Sequence, residues 1–179
     1  MENSIGIVNK VEESGLITFN LESYFPTEPI LVFDLKGFLF RELILKEKDF
    51  RAALKELDWS VYNGALVALT CSVDAIIPYW AYMLVTAYLE PVCKLVVCGT
   101  ANQLMEQQYQ SSLAKIDWSI YKDQRMVIKG CGDKPVPIGA YVEVTRYLRP
   151  LAKSILYGEP CSTVPVYKKP MSGASATLG

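Results

Sequence analysis

The stretch Asp58-Trp-Ser-Val-Tyr62 decides the fold, because it returns in the second half of the chain as Asp117-Trp-Ser-Ile-Tyr121. The likeness continues beyond this turn. PYWAYMLVTAYLEP at 78–91 matches PIGAYVEVTRYLRP at 137–150, with two tyrosines, a Val-Thr pair and both flanking prolines in the same places. Internal self-similarity of this kind indicates repeated structural units. The sequence therefore predicts a duplication, with repeats at 58–99 and 117–158.

Each repeat carries the same pattern of elements. Short β-rich apolar runs bounded by turn residues predict strands, and a proline favours the first turn of a helix but stops a helix that reaches it. Two apolar runs therefore flank one helix in each copy, which predicts a βαβ unit with parallel strands and a right-handed crossover. The predicted segments are strands at 65–71 and 125–131, helices between Pro78 and Pro91 and between Pro137 and Pro150, and strands at 94–99 and 153–158.

The segments outside the repeats are less regular. We predict a strand at 30–34, a helix at 47–57 and a helical connector at 101–116, while Asn20-Leu-Glu-Ser-Tyr24 faintly echoes the Asp-Trp-Ser turn. The predicted fold class is α/β: a single domain over 1–168 with a central, mainly parallel or mixed sheet, built from the two duplicated βαβ units plus an N-terminal β/α segment. The small, polar residues of 169–179 predict a disordered tail.

Composition narrows the classes of function. The 179 residues carry a net charge of −1 and include no histidine, so Ser-His-Asp or Cys-His catalysis and imidazole zinc sites are excluded within this chain. The near-neutral charge gives no reason to expect nucleic acid as a partner. We find neither an apolar run of about 18 residues nor a signal peptide. Together with five cysteines, an odd number that fits free thiols, this predicts a cytoplasmic protein without a membrane partner.

The candidate site residues follow from the repeats. Ligands bind beyond the carboxyl ends of parallel strands, and Cys71 and Cys131 fall there, each ahead of a helix whose dipole favours a thiolate. The binding candidates are Cys71, Asp74, Cys131, Asp133, Glu159 and Cys161. Plainer alternatives stay open: the cysteines as small apolar residues, Asp74 and Asp133 as helix caps, and Gly130 and Gly132 as turn formers.

Cys131 and Cys161 are also the candidate metal ligands. Thiolates bind zinc or iron, so the predicted cofactor, if there is one, is one of these metals. The spacing contains no Cys-x-x-Cys motif, which makes the metal signal weak. A thiol-based enzyme would need Lys129 or Asp133 as its base, and the sequence leaves open whether the protein is an enzyme.

The helix from Pro78 to Glu90 is apolar nearly all round, unlike the helix of the second copy with Glu143, Arg146 and Arg149 on one stripe. A helix of that kind is covered on both sides. Two explanations stay open: the N-terminal segment covers it, or it forms the interface of a homo-oligomer.

Four segments together carry a family resemblance: LILKEKDFRAALKELDWS, CSVDAIIPYWAY, KGCGD and YGEPCSTVPVYKK. Over 5–168 the chain resembles a bacterial family known as domain of unknown function 2480. No activity is established for that family, so no catalytic residue is carried over. Its members are often encoded beside iron–sulfur cluster assembly components of the sulfur-mobilisation type, which implies a role in sulfur or iron handling, or only shared transcription.

Three functions are therefore predicted. The first is an accessory factor of iron–sulfur or thiol metabolism that uses Cys131 and Cys161, with Cys71, as thiolate ligands or sulfur acceptors. The second is a non-catalytic, oligomeric interaction module. The third is a protein that binds an anion or small molecule at the helix N-termini after Cys71 and Cys131.

Overall fold

The structure is a computed structural model, and it describes residues 15–130, 132–159 and 161–170. Cys131 and residues 171–179 of the predicted tail lie outside the described residues. The helices and strands agree closely with the predicted segments. The α-helices are α1 Glu47–Glu56, α2 Tyr79–Leu89, α3 Ala101–Leu113 and α4 Ile138–Leu148, and the strands are β1 Leu16–Asn20, β2 Ile30–Asp34, β3 Leu39–Phe40, β4 Ile44–Leu45, β5 Leu66–Thr70, β6 Leu95–Cys98, β7 Arg125–Lys129, β8 Ser154–Glu159 and β9 Ser162–Lys168.

By its contacts, the chain divides into two compact units. Unit 1 combines Met1–Phe25 with Tyr109–Gly179, and unit 2 is Pro26–Gln108. Unit 1 holds a four-stranded sheet of order β1-β7-β8-β9, and unit 2 holds a three-stranded sheet of order β2-β5-β6 and the two-stranded β3-β4 sheet. The predicted α/β class with parallel and mixed sheets is confirmed. The single domain over 1–168 stays a prediction.

Each unit pairs one N-terminal strand with a repeat strand far along the chain. In unit 2, β2 runs parallel to β5 and β5 parallel to β6. In unit 1, β1 runs parallel to β7 and β7 parallel to β8. All these parallel strands end at the same edge of their sheet, which is where α/β sheets bind ligands. Strand β1 was not among the predicted segments.

The run Gly158-Glu-Pro-Cys-Ser-Thr-Val-Pro165 has the composition of a loop, but from Ser162 onward it belongs to a strand. Ser162–Lys168 forms β9, which pairs antiparallel with β8 through a register shift near Ile155 and Leu156. Gly158 has φ of 118° and faces Ser162, so that a Cβ there would come within 2.7 Å of the Ser162 carbonyl oxygen. Glycine thus permits a close backbone approach in this hairpin. Cys161 therefore stands in the turn between the two strands.

An aromatic stack fills the core of unit 2. The ring of Phe33 on β2 stacks on Phe38 and Trp59 at centroid distances of 5.4 and 5.6 Å, and Trp59 stacks on Tyr88 of α2 at 4.9 Å. The indole N–H of Trp59 donates to the Leu54 carbonyl, 2.9 Å away in the last turn of α1. A strand, two helices and the Trp59–Tyr62 3₁₀ turn meet at this one indole.

Unit 1 makes the same contacts with different residues. Phe19 on β1 stacks on Tyr24 at 5.3 Å and lies 5.2 Å from Trp118, which stacks on Tyr147 of α4 at 4.9 Å. The Trp118 indole N–H donates to the Leu113 carbonyl at the end of α3, 3.0 Å away. The two units thus share an arrangement, while its origin in a duplication stays a prediction.

The echo at 20–24 is a real local likeness. Leu21–Tyr24 is a 3₁₀ turn, and the Asn20 side chain accepts the Glu22 amide N–H at 3.0 Å. Asp58 and Asp117 accept the amides of Ser60 and Ser119 at the same distance. A short polar side chain that accepts a backbone N–H two residues on defines this kind of turn.

Helix α2 is covered on one side and open on another. Ala81, Val85 and Leu89 are buried, and Trp80 lies 6.0 Å from the Phe50 ring of α1. The N-terminal segment therefore covers part of this helix. Tyr79 and Met83 are 88% and 71% exposed, however, so within the described residues α2 is not covered on both sides. In α4, Glu143 and Arg146 of the polar stripe form an ion pair.

We expect Trp59→Phe and Trp118→Phe to lower the free energy of unfolding by similar amounts, about 1–2 kcal/mol each. Each substitution keeps an aromatic ring but removes the indole N–H from a helix-end carbonyl that has few other donors. Urea denaturation of both variants measures the effect. The matched control is Trp80→Phe, whose indole makes no hydrogen bond within the described part of the chain. An equal loss in all three variants would contradict the prediction.

Candidate functional site

The carboxyl edge of the unit 1 sheet gathers more charge than its counterpart in unit 2. The parallel strands β1, β7 and β8 end there at Asn20, Lys129 and Glu159. In unit 2 the matching strands β2, β5 and β6 end at Asp34, Thr70 and Cys98. The arrangement shared by the two units therefore ends in different chemistry at the same place.

In unit 1 an ion pair connects the ends of two neighbouring strands. Lys129 Nζ lies 2.8 Å from Oε1 and 3.0 Å from Oε2 of Glu159. Both side chains are half-exposed, so the pair contributes little to stability. It shows that the ends of β7 and β8, two residues before Cys131 and before Cys161, lie side by side.

A second carboxylate holds the loop that follows β7. Glu22, in the 3₁₀ turn after β1, accepts the backbone N–H of Gly132, and Lys134 Nζ donates to the Glu22 carbonyl at 3.2 Å. The matching contact in unit 2 runs from the Ser72 amide to Asp34, at 3.0 Å. In both units, a carboxylate at or just after the N-terminal strand accepts a backbone N–H of the loop that follows the central strand. In unit 2 this carboxylate is Asp34, the last residue of β2, whereas in unit 1 it is Glu22, in the turn after β1.

Gly130 makes room for a tyrosine hydroxyl. A Cβ on Gly130 would lie 2.6 Å from the hydroxyl oxygen of Tyr141 and 3.1 Å from Leu21 Cβ. A turn-forming role for Gly130 and Gly132 stays open. The approach of the Tyr141 hydroxyl adds a second explanation for Gly130, since a side chain there would overlap that hydroxyl.

Tyr109 of α3 contributes a hydroxyl group near this edge of the unit 1 sheet. Its hydroxyl is buried and donates to the Leu21 carbonyl at 3.2 Å. Burial first, and then the neighbouring Tyr141 and Glu22, raise the pKa of Tyr109 to about 12. The phenol therefore stays protonated at neutral pH and acts as a donor, not as a base.

In unit 2 the corresponding edge carries thiols. Cys71 is half-buried and Cys98 exposed, and both are free. Burial works to raise the pKa of Asp34, but hydrogen bonds from Ser72 and from the Lys36 amide outweigh it and lower that pKa. Asp34 thus stays ionised and holds the loop that begins at Cys71.

The predicted site residues divide between the two edges. Cys71 and Asp74 follow β5, Asp133 follows β7, and Glu159 and Cys161 lie at the β8–β9 turn, whereas Cys131 lies outside the described residues. Asp74 and Asp133 are exposed, and neither is a helix cap: α2 and α4 begin after Pro78 and Pro137 without a side-chain cap. The capping explanation is therefore wrong.

The candidate metal pair has no independent support from the other residues. Within 15–130, 132–159 and 161–170 no group of three or more His, Cys, Asp or Glu side chains could hold a metal ion. Cys161 is exposed. Because Cys131 falls outside these ranges, metal binding by Cys131 and Cys161 stays a prediction.

Sequence reasoning missed Glu22, Tyr109 and Tyr141 as members of this edge. Tyr141 is one of the tyrosines that recur in both repeats, and its recurrence alone does not indicate that its hydroxyl approaches Gly130. The signal for Glu22 was the Asn20-Leu-Glu-Ser-Tyr24 echo, which places a carboxylate where the matching turn of unit 2 has Lys36. Tyr109 could not be found, because its partner Leu21 lies far away in sequence.

A family model described as "Protein of unknown function (DUF2480)" matches residues 5–169. No curated protein and no solved structure matches the chain. Across the described residues, none of the helices combines the length and apolar character that a membrane span requires.

We expect Gly130→Ala to destabilise unit 1 by about 1–3 kcal/mol, because its new methyl group overlaps the Tyr141 hydroxyl. Tyr141→Phe removes that oxygen, so the double variant should recover part of the loss. Thermal unfolding of the two single variants and the double variant measures the coupling. Gly37→Ala is the control, since nothing lies within 4 Å of its Cβ position. Additive losses in the double variant would contradict the steric explanation.

Proposed function

We propose that this protein is an accessory factor in iron–sulfur or thiol metabolism. The chain belongs to the DUF2480 family of proteins of unknown function. Its working groups are the thiols of Cys131, which follows β7 in the sequence, and of Cys161 in the turn between β8 and β9. The proposal includes a cytoplasmic location, where free thiols stay reduced.

The Lys129–Glu159 ion pair is the observation that carries this proposal. Lys129 and Glu159 each stand two residues before one of the two cysteines. Neighbouring strands lie about 4.8 Å apart, and the ion pair extends the contact between β7 and β8 to the ends of these strands. This favours a common location for the two thiols.

The chemistry of the edge suits a soft, exchangeable ligand. Two thiolates and the Glu159 carboxylate would supply three donors to zinc or ferrous iron, with the fourth position open. Glu159 is already paired with Lys129, so a metal that uses this carboxylate must first displace the lysine. A site of that kind fits transfer of a metal or of sulfur better than permanent storage.

Elemental analysis of anaerobically purified protein tests the proposal. We expect about one equivalent of zinc or iron in the wild type, and its loss in Cys131→Ser and in Cys161→Ser, since each removes a thiolate donor. Cys98→Ser is the matched control, because Cys98 is an equally exposed thiol at the edge of unit 2. Metal-free wild-type protein, or unchanged metal in Cys131→Ser, would overturn the ligand role.

A second candidate function rests on a different surface. The exposed side of α2, formed by Tyr79 and Met83, supports a homo-oligomeric interaction module. Helix α2 contains no charged residue, so packing it against the same helix of a second copy brings no like charges together. A two-fold interface uses the same patch on both copies. The partner of this face is therefore a second copy of the chain.

We expect Met83→Lys to convert a dimer into a monomer, because it places a charge in the centre of the apolar contact. Light scattering at micromolar concentration reports the mass. Val142→Lys is the control, since Val142 occupies the matching, 63% exposed position of α4. Wild-type protein that is already monomeric would rule out this interface.

A further inference from the structure

We propose that Cys71 and Cys98 form a reversible disulfide at the carboxyl edge of the unit 2 sheet. The pair is separate from the Cys131 and Cys161 thiols, so the inference goes beyond the proposed function. It rests on the strand register and on the face of the sheet that each side chain occupies.

The first step is that both side chains stand on the same face of the sheet. Along a strand, alternate residues point to opposite faces. Val67 and Leu69 of β5 pack in the hydrophobic cluster that includes residues of α2. Cys71, the next residue in the same alternation, packs against this cluster too. On β6, Val96 packs there while Val97 packs on the opposite face. Cys98 therefore returns to the α2 side, together with Cys71.

The second step is that the two residues are diagonal neighbours on adjacent strands. Leu69 pairs with Cys98 in the parallel β5–β6 register, and the Gly99 amide donates to the Leu69 carbonyl at 2.9 Å. Cys71 follows Leu69 by two residues and is thus a diagonal neighbour of Cys98. Tyr82 of α2 lies beside both: burial first, then Cys71 and Cys98, raise the pKa of its phenol.

The third step concerns reach. In parallel strands about 4.8 Å apart that rise about 3.3 Å per residue, neighbours offset by two residues have Cα atoms about 8 Å apart, and a disulfide accepts up to about 6.8 Å. Cys71 lies just beyond the end of β5, at the start of a segment without regular structure that leads to α2. A shift of about 1 Å in that segment is enough, by the same two limits. The present Cys71 contact, an S–H donated to the Val73 carbonyl at 3.5 Å, is weak.

Cys93 competes poorly for Cys98. It precedes the opposite end of β6, and burial raises the pKa of its thiol, which disfavours the reactive thiolate. Cys98 is exposed and can meet an oxidant in solution, while the half-buried Cys71 is placed to resolve the product.

The oxidant is a low-molecular-weight disulfide such as oxidised glutathione. The Cys98 thiolate attacks one glutathione sulfur, forms a mixed disulfide and releases one glutathione thiolate. The Cys71 thiolate then attacks the Cys98 sulfur and releases the second glutathione. Two protein thiols are oxidised, one glutathione disulfide is reduced to two glutathiones, and two protons pass to the released thiolates. The disulfide joins the segment that precedes α2 to the segment that precedes α3, so oxidation of the two thiols affects both helices.

Peptide mapping of the oxidised protein tests this. Trypsin places Cys71 in peptide 56–94, which also holds Cys93, and Cys98 in peptide 95–115. The full chain with Cys93→Ala is therefore treated with oxidised glutathione, alkylated and digested without reductant. We expect the two peptides to be linked, with release on reduction by dithiothreitol. In Cys71→Ser we expect one glutathione trapped on Cys98, because the resolving thiol is gone.

The same oxidation in urea is the control for folded geometry, since unfolded chains should distribute the links among all remaining cysteines. Glutathione that stays on Cys98 of the folded chain when Cys71 is present would overturn the proposal. A link between Cys98 and peptide 130–146 or 154–168 would overturn it as well. Neither outcome bears on metal binding by Cys131 and Cys161, which elemental analysis decides separately.

Discussion

One hydrogen bond in each unit fixes the rest of the arrangement: an indole N–H donated to a carbonyl at the end of a helix. Trp59 bonds Leu54 and Trp118 bonds Leu113. The same indole stacks on a tyrosine of the crossover helix and contacts a phenylalanine of the N-terminal strand. Three elements thereby acquire fixed distances from one side chain, and the central strand that follows the 3₁₀ turn is placed among them. The strand ends, and hence the candidate sites, depend on this placement.

Most elements inside the repeats could be predicted because their signals are local. Pro78 and Pro137 do precede the first helical residues, and the apolar runs after Asp58 and Asp117 are strands. Strand β1 had a local signal too, since Ile17-Thr-Phe-Asn20 matches Leu31-Val-Phe-Asp34 in pattern. Its pairing with β7 had none. A parallel partner about a hundred residues away is chosen by packing in three dimensions, and no short-range pattern encodes it.

The candidate site was predictable only in part, for the same reason. Cysteines at the ends of strands are visible in the sequence, and the rule for parallel sheets places them at the binding edge. The groups that distinguish one edge from the other are not visible, because Glu22 and Tyr109 reach that edge from the N-terminal strand and the connecting helix. Even the close approach at Gly130 involves Tyr141, a residue of the following helix. A glycine motif alone could not distinguish a turn from such a close approach.

The carboxyl edges of the two sheets share a framework but differ in the side chains that they carry. Where the units agree, in the indole bond, the stack and the turn, the shared residues explain how each sheet is held. Where they differ, the framework does not require the difference. Thr70 and Lys129 occupy matching positions, as do Cys98 and Tyr157, and Lys36 and Glu22. Unit 1 gains an ion pair, a tyrosine hydroxyl against the backbone and an exposed cysteine, while unit 2 gains two thiols on one face. Since one framework supports both sets, the framework does not dictate the chemistry of either edge, and that chemistry is available for function.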